Sequence, residues 1–578
     1  MKRIRFLWML LFVLIIVLFL TPKKREIILP DGIYENCYLL SLENGEMAVI
    51  VDGEKKRIPC SVREKEGTKD EIIDIQIETN RIKKIVWKEG MITDKVEAVS
   101  LTEGWMNLAF HGRKKINENG ELYIKTGDEV RLLSTAGSLL NRELVSFYIY
   151  DNEICAVIVE GDENIERIKV LLHGEIEGVY HEKVRLTATN DYRVSIDGNQ
   201  EEHKAGEEIS FTKDIGRAKV SCEDGKIKIL SIERASGYPE YRGEIIVRSD
   251  EEGYLLCNEI SLEEYLYSVV SSEMPASYPE EALKTQAVCA RTYAIYQMQQ
   301  AYYGEYGAHV DDTVNSQVYN NVAETETTKK AVDATRGQYL SYEGKPICAY
   351  FYSTSCGMTS DVKDVWISEG TSPVYLAGKF QGDSAEKEDN TFGDLEQNEV
   401  FYQFITDIPD RAFEKEEPWF RWSGRITYDD LSNHVERHLK EWIKENPSYY
   451  NLESDRESLG NIIKVQVEKR SKGGVIKRLS LTGEYGILTV TGEYQIRKAL
   501  CPEKLELTLN DGTKKSCSML PSGYFAIENG ESIVLYGGGY GHGVGMSQNG
   551  AKAMAQRDYT YENILKFYYP ETDLVEAY

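Results

Sequence analysis

SLEEYLYSVVSSEM, residues 261–274, is the stretch that decides the fold of the second half of the chain. Five apolar residues recur on one face at helical spacing, and the sixth residue on that face is an acid, Glu273. Ser261 and Glu264 form the pattern of a capping box that begins a helix, and Pro275 ends it. The stretch therefore predicts a helix that carries a carboxyl group inwards at its last turn. The apolar face consists of Leu262, Tyr265, Leu266, Val269 and Val270.

An acid on an otherwise apolar face has two interpretations. Removal from water raises the pKa of a carboxyl group towards the range in which it donates a proton near neutral pH, as a general acid must. Most polar residues on apolar faces, however, are satisfied by hydrogen bonds and do no chemistry. Spacing alone leaves both roles of Glu273 open: a general acid, or a carboxyl group that caps the next turn.

The composition indicates a globular protein of several domains. A chain of 578 residues is too long for one ordinary core. Its net charge of −27 argues against nucleic acid as a partner, because phosphate binding needs a basic patch. The ten cysteines form no CxxC pair, so neither a zinc ribbon nor a dense disulfide framework is indicated. No cofactor is predicted. Cys501 and Cys517 flank a predicted hairpin at residues 510–512, where a disulfide and two free thiols fit equally well.

The first 25 residues have the pattern of a targeting or anchoring segment. Basic residues precede an apolar run at residues 6–20, and three more basic residues follow it at 23–25. A signal peptide and a short membrane anchor share this pattern. Because no small-x-small cleavage site follows the run, we expect an uncleaved, single-pass anchor in the cell membrane. The large polar remainder is then expected outside the cytoplasm.

Beyond residue 25, the pattern of secondary-structure signals in the sequence changes once. Residues 26–235 read as short strands with frequent turn signals, which predicts small β modules. Residues 236–578 mix strands with helices, one of which opens at Pro279 and runs to about Gln300. A charged helix is predicted from Tyr428 to about Lys444. We therefore expect an α+β protein with an N-terminal anchor (1–25), β-rich accessory modules (26–235) and a catalytic domain (236–578).

Two later segments carry unusual loops. Residues 536–548, YGGGYGHGVGMSQ, concentrate glycines around His542, which lets backbone approach a ligand closely. The segment lacks the spacing of a phosphate loop and of a serine-hydrolase elbow. Residues 347–359, ICAYFYSTSCGMT, predict a buried strand followed by a hydroxyl-rich loop. Cys356 with His542 fits a thiol nucleophile and its base, but a cysteine is equally common as a small buried residue.

Four sequence blocks, in this order and at this spacing, resemble the stage II sporulation protein D (SpoIID/LytB) family. They are SVVSSEMP (268–275), LKTQAVCARTYA (283–294), FYSTSCG (351–357) and GHGVGMSQ (541–548). The resemblance covers residues 238 to 578. It implies an α+β lytic transglycosylase that cleaves peptidoglycan glycan strands lacking stem peptides, and it implies that the acid of the Glu-Met-Pro motif, here Glu273, is the catalyst. It also implies partners among peptidoglycan strands and other cell-wall hydrolases, and a role in sporulation or wall remodelling.

The same resemblance suggests which side chains hold sugar hydroxyls, acetamido groups or a developing oxocarbenium ion, although each residue also fits a structural role. Two positions depart from the family pattern: Tyr352 replaces a histidine common in the family, and Cys356 replaces a glycine. Cys348 with Cys356 retains a trace of the zinc site of some relatives, but no metal is predicted. The candidates are Gln286, Arg291, Tyr293, Gln317, Tyr319, Ser353, Ser355, His542 and Gln548.

Two rival functions stay open. Relatives in the LytB branch are described as enhancers of amidases, which suggests a non-catalytic wall-binding protein. A cysteine amidase or peptidase would instead use Cys356 as its nucleophile. The presence of Glu273 in the motif favours the transglycosylase over the wall-binding protein, and the cysteine enzyme would require Cys356→Ser to abolish release of peptides.

Overall fold

The computed structural model describes residues 29–578 apart from a set of short gaps. The predicted anchor, residues 1–25, lies outside the described residues. In the part of the chain that the structure describes, no helix is both long and apolar enough to cross a membrane. The gaps are residues 64, 134, 136, 162–164, 175–177, 197, 213–214, 235–236, 250, 320–321, 367–371 and 384–391.

The contacts divide the chain into two units between residues 164 and 165, rather than at the predicted residue 235. The first unit ends at residue 164 and also includes Gly304–Gly307. The strands that follow residue 165 belong to the second unit because their apolar residues pack into the same core as the helices. Ile168, Leu186 and Val220, for example, share one buried cluster with Leu262 and Leu283. A boundary at residue 235 would cut through that core.

The first unit is built from two sheets of mostly short strands, as the turn signals predict, and their strands pair antiparallel except for the parallel pair β9–β12. One sheet has the strand order β3-β2-β1-β4-β5, and the other has the order β6-β11-β12-β9-β8-β7 with β10 also paired to β9. The strands are β1 (Gly32–Glu43), β2 (Glu46–Val51), β3 (Glu54–Pro59), β4 (Glu71–Glu78), β5 (Arg81–Trp87), β6 (Met91–Asp94), β7 (Val96–Ser100), β8 (Trp105–Leu108), β9 (Gly112–Thr126), β10 (Glu129–Leu132), β11 (Val145–Tyr150) and β12 (Glu153–Glu160).

The second unit holds the remaining strands. They are β13 (Arg167–Leu171), β14 (Arg185–Ala188), β15 (Tyr192–Ile196), β16 (Asn199–His203), β17 (Ile209–Ser210), β18 (Arg217–Ser221), β19 (Ile227–Ile229), β20 (Glu240–Tyr241), β21 (Glu244–Ser249), β22 (Tyr254–Ser261), β23 (Val310–Asp311), β24 (Gln338–Tyr342), β25 (Lys345–Pro346), β26 (Phe351–Tyr352), β27 (Trp422–Ile426), β28 (Tyr450–Ser454), β29 (Ile462–Arg470), β30 (Ile476–Gly483), β31 (Gly486–Thr491), β32 (Leu505–Leu509), β33 (Lys514–Cys517), β34 (Phe525–Asn529), β35 (Ile533–Gly537), β36 (Met546–Ser547) and β37 (Asp573–Glu576).

These strands form several sheets. The largest has the order β16-β15-β18-β21-β22-β13-β23. Strands that alternate with it along the chain form a second sheet of the order β17-β14-β19-β20. Smaller sheets have the orders β25-β24-β37, β33-β32-β27-β35-β34 and β28-β31-β30-β29. The parallel pair β26-β36 joins two loops that are distant in sequence, with Phe351 opposite Met546.

The helices of the second unit carry its core. They are α1 (Leu262–Glu273), α2 (Glu280–Gln300), α3 (Glu326–Ala334), α4 (Val362–Val365), α5 (Asn398–Thr406), α6 (Tyr428–Glu445), α7 (Glu493–Ala499), α8 (Gln548–Ala555) and α9 (Tyr561–Tyr568). Together the two units make a mixed α+β protein that is rich in strand, in agreement with the predicted class.

Helices α1 and α2 form where the sequence pattern places them. The Ser261 hydroxyl accepts a hydrogen bond from the backbone N–H of Glu264, and α1 ends immediately before Met274. The five apolar residues of its predicted face are each at most 1% exposed. Helix α2 follows Pro279, and its small and apolar stripe is buried against α1, α3 and α8. The small side chains of this stripe allow close helix packing, which brings the ends of α1 and α8 together.

Candidate functional site

Glu273 is the last residue of α1 and stands at the edge of a cleft. Its side chain is partly buried, and its Oε1 accepts a hydrogen bond of 3.0 Å from the backbone N–H of Val318. Burial raises the pKa of this carboxyl group, while the hydrogen bonds from Val318 and the Gln548 side chain act in the opposite direction. A carboxyl group with a raised pKa and access to a cleft has the properties of a general acid.

The cleft has a volume of about 1060 Å³ and lies within the second unit. Aromatic rings form a large part of its walls. Trp419 and Tyr540 are stacked with their ring centroids 4.8 Å apart, and Trp366 stacks on Tyr350 at 4.7 Å. Tyr540 is 45% exposed and Trp366 is 39% exposed, so ring faces are open to a ligand. The other aromatic residues that line it are Tyr293, Phe351, Tyr352 and Tyr494.

His542 lines the same cleft, but both of its ring nitrogens are engaged. Nε2–H donates to the carbonyl oxygen of Phe351 at 3.1 Å, and Nδ1 accepts the backbone N–H of Val544 at 3.1 Å. Burial, followed by the positive charge of Arg497, lowers the pKa of His542 to about 4. The imidazole is therefore neutral at physiological pH and holds the glycine-rich loop against β26.

The glycines of this loop are required by its path. The loop runs through positive φ values at Gly539, Gly541, Gly543 and Gly545. A Cβ atom at Gly545 would overlap the carbonyl group of Tyr350. The close approach of backbone that the sequence predicts is thus an approach to β26, which brings the loop to the wall of the cleft.

Cys356 does not have the surroundings of a nucleophile. Its side chain is fully buried, and burial raises the pKa of the thiol to about 11. It does not line the cleft, whereas His542 does. A nucleophilic cysteine needs an accessible thiolate. The structure therefore gives no support to a catalytic Cys356–His542 pair.

The predicted binding residues fall into three groups. Tyr293, Ser353 and His542 line the cleft with Glu273. Gln548 reaches Glu273, and its amide also donates to Gln286 at 3.4 Å. The others lie behind the cleft wall, fully or almost fully buried: Arg291, Gln317, Tyr319 and Ser355.

Gln317 and Tyr319 hold the loop that contacts the acid. The Gln317 amide donates to the carbonyl oxygen of Ala290 on α2 at 3.3 Å. The Tyr319 hydroxyl donates to Asn258 on β22 at 2.7 Å. Between them in sequence lies Val318, whose N–H donates to Glu273. Both side chains make these hydrogen bonds inside the protein. They therefore position Val318.

Arg291 lies in an ion pair that sequence reasoning missed. Its guanidinium donates to the carboxylate of Glu263 through Nε at 2.7 Å and through Nη2 at 2.6 Å. Arg291 is 0% exposed and Glu263 is 2% exposed. The pair joins α1 to α2 away from the cleft. Glu263 lies off the apolar stripe, so periodicity alone indicates a solvated residue; an arginine on the neighbouring predicted helix is the one available signal.

Glu414 is a second buried acid with no signal in the sequence. It accepts hydrogen bonds from the Ser355 hydroxyl and the Ser547 hydroxyl, both at 2.7 Å, and from the Ser355 backbone N–H at 2.9 Å. It thus ties the hydroxyl-rich loop to the start of α8. Burial raises its pKa to about 7. In the sequence it stands in an acidic run, EKEE, typical of an exposed turn.

Glu414 makes the stability of the protein depend on pH. Because its pKa is about 7 in the folded state and 4.5 ordinarily, the folded protein binds the extra proton between these values. Its contribution to stability is therefore present below about pH 4.5 and is lost as pH rises to 7, by up to about 3 kcal/mol. Urea unfolding of wild type and Glu414→Gln at pH 5 and pH 8 measures this. We expect a smaller loss in the variant; equal losses would contradict the assignment.

Among the described residues, no three His, Cys, Asp or Glu side chains lie together in an arrangement that could hold a metal ion. His434 and His438 on α6 are instead bound to backbone carbonyl groups: the first donates to Lys498 at 3.0 Å, and the second donates to His434 at 2.9 Å.

Two segments of the chain that carry the site match models of known protein families. Residues 250–342, which contain α1, α2 and the Val318 loop, match the family model described as "Stage II sporulation protein". Residues 360–545, which supply the cleft residues from Val365 through His542, match a model described as a domain of unknown function.

Relatives of known sequence specify the family. The chain is 30% identical over 336 residues to stage II sporulation protein D of Bacillus subtilis, covering 55% of this chain and 75% of that protein. It therefore belongs to the stage II sporulation protein D family, which confirms the resemblance found in the sequence. It is 32% identical over 312 residues to the amidase enhancer of Bacillus subtilis, covering 54% of this chain. The matched part spans only 40% of that relative's length.

Proposed function

We propose that the protein is a lytic transglycosylase that cleaves the bond between N-acetylmuramic acid and N-acetylglucosamine in peptidoglycan strands, with formation of 1,6-anhydro ends. The observation that carries the proposal is the placement of Glu273: a partly buried acid with a raised pKa at the edge of an aromatic cleft. A polysaccharide offers sugar faces to rings and one glycosidic oxygen to an acid.

The reaction needs a single carboxyl group. Protonated Glu273 donates its proton to the glycosidic oxygen, and the bond from that oxygen to C1 of the muramyl residue breaks. The 6-hydroxyl of the same residue then attacks C1, and the Glu273 carboxylate accepts the hydroxyl proton. The intramolecular nucleophile, with an effective molarity of about 10⁵ M or more, replaces the second carboxylate of an ordinary glycosidase.

The other acid in the cleft is already paired. Of the described residues that line it, the carboxylates are Glu273 and Glu493. Glu493 accepts hydrogen bonds from Arg497 at 3.3 Å, so its charge is compensated inside the protein. This pairing favours a one-acid transglycosylase over a two-acid hydrolase.

The neutral side chains around Glu273 provide contacts for sugar polar groups. Ser353, directly after β26, and Tyr293, on α2, line the cleft together with the acid. Gln548 contacts the Glu273 carboxyl group, so its amide is placed to orient the acid during both proton transfers. We assign Ser353 and Tyr293 to substrate binding, and Gln548 to positioning.

Trp419 supplies a test of the aromatic wall. Replacing it by alanine removes the ring that stacks on Tyr540. We expect the Kd for long glycan strands to rise about 5–10-fold, while the rate of the bound complex changes little, because the ring contributes binding area and no proton transfer. Tyr238→Ala is the matched control, since Tyr238 is 50% exposed and does not line the cleft. Equal affinities of the two variants would contradict this role.

Incubation of the full chain with glycan strands stripped of stem peptides tests the proposed activity directly. Mass spectrometry of the products should show anhydromuramyl ends. Reducing muramyl ends instead would identify a hydrolase, and intact strands would overturn the proposal.

A second candidate function rests on one comparison. Because one relative is named amidase enhancer, the protein is also a candidate for a wall-binding partner of a hydrolase. Adding the full chain to peptidoglycan with a purified amidase separates the two: an enhancer increases peptide release in the Glu273→Gln variant as much as in wild type.

We also propose that the protein acts outside the cytoplasm, held in the cell membrane by residues 1–25. The basic-apolar-basic pattern of these residues supports this location, and so does the position of peptidoglycan outside the membrane. Membrane fractionation of cells, with accessibility of residues after 25 to an external protease, tests it.

A further inference from the structure

Cys501 and Cys517 stand in direct contact beside the cleft. Their Sγ atoms are 3.4 Å apart, and the residues are 16 positions apart in sequence. Cys501 follows α7, and Cys517 ends β33, where it lies opposite Leu505 on β32. The contact therefore joins the helix that carries Arg497 to the hairpin that carries Cys517, and both elements line the cleft.

The two thiols differ in exposure. Cys501 is 1% exposed, whereas Cys517 is partly exposed and lines the cleft. Each of the other eight cysteines is buried. Cys517 is therefore the cysteine that a reactant in the cleft can reach, and Cys501 lies behind it.

The contact also distinguishes the two thiols chemically. The hydrogen bond between them lowers the pKa of Cys517 and raises that of Cys501. An accessible thiol with a lowered pKa, backed by a buried second thiol within contact distance, is the arrangement of a dithiol that exchanges with disulfides.

We propose that Cys501 and Cys517 form a thiol–disulfide exchange site, with Cys517 as the attacking thiol and Cys501 as the resolving thiol, that takes a disulfide-bearing reactant from the cleft. The proposal rests on the contact between the two sulfurs and is independent of the glycan chemistry. Oxidation links α7 to the β32–β33 hairpin and fixes this wall of the cleft.

The exchange balances in two steps. The Cys517 thiolate attacks one sulfur of the reactant, whose S–S bond breaks; the departing sulfur leaves as a thiolate and takes up a proton. Cys501 then loses its proton to solvent and attacks Sγ of Cys517, which forms the Cys501–Cys517 bond and releases the second thiolate. The two cysteines lose two electrons, and the reactant disulfide gains them.

Oxidised glutathione serves as the probe. The reduced full chain is incubated with it, quenched in acid, denatured and alkylated, and its peptides are analysed by mass spectrometry. We expect a linked pair of peptides containing Cys501 and Cys517 before any other cysteine is oxidised. We also expect the oxidised protein to unfold at a higher temperature than the reduced protein, because the bridge constrains the unfolded chain.

The single variants separate the two roles. In Cys501→Ser the glutathione adduct on Cys517 should accumulate to at least about tenfold above its wild-type level, because no thiol resolves it. In Cys517→Ser neither adduct nor bridge should form. Cys257→Ser, which removes a buried thiol of β22, should react like wild type. Free thiols at both positions after oxidation, or the absence of an adduct in Cys501→Ser, would overturn the proposal.

Discussion

Replacing Glu273 by glutamine should reduce the release of anhydromuramyl ends by about 10²–10⁴-fold, the contribution typical of a general acid. Glutamine keeps the size of the side chain, and its carbonyl oxygen still accepts the N–H of Val318. The variant loses only the proton that the leaving oxygen requires. Product release from stripped glycan strands, followed by mass spectrometry, gives the rate.

A control variant and a binding measurement accompany this experiment. Glu280→Gln, which changes an exposed acid at the start of α2, should retain wild-type activity. The Kd of Glu273→Gln for glycan strands should stay within about twofold of wild type, because the aromatic wall is unchanged. Wild-type product release by Glu273→Gln would show that this acid is not the catalyst.

Replacing Arg291 by alanine should lower the free energy of unfolding by about 3–5 kcal/mol, the cost of leaving a buried charge without its partner. Glu263 would keep its carboxylate in a site where Arg291 supplies two hydrogen bonds of 2.6 and 2.7 Å. Urea unfolding followed by circular dichroism measures the loss. Since Arg291 does not line the cleft, the fraction that stays folded should cleave strands at the wild-type rate.

A double variant separates charge from packing in this pair. Glu263→Leu with Arg291→Met replaces both charges by apolar side chains and should recover most of the lost stability. If Arg291→Ala were as stable as wild type but bound glycan strands more weakly, Arg291 would be a binding residue, as the family resemblance first suggests.

The sequence predicts the helical part of the site well. The recurrence of apolar residues with period 3.6 places α1 correctly. The Ser261 cap and Pro275 mark the ends of this helix to within a residue or two. Helix α2 and the charged helix α6 are also present where predicted. These elements are specified by local signals, so that neighbouring residues alone are enough to recognise them.

The parts that escaped prediction depend on contacts between distant residues. The strands from residue 165 look like those of the first unit, and only their packing against Leu262 and Leu283 assigns them to the second. Glu414 becomes buried because two serines on distant loops bind its carboxylate. Arg291 is also paired with a distant residue, since its partner Glu263 lies on another helix. Such pairings leave no periodic trace in one sequence.

The parallel pair β26–β36 also bears on synthesis of the chain. Ser547 donates a hydrogen bond to the carbonyl oxygen of Ser353, 194 residues earlier, so this contact at the cleft wall forms only after residue 547 has been synthesised. Closing so long a loop costs entropy before any contact repays it, which slows the step. A nascent or truncated polypeptide that ends before residue 546 thus carries Glu273 without β36 and without Gln548, whose side chain contacts the acid, and the proposed cutting activity waits until both have been synthesised.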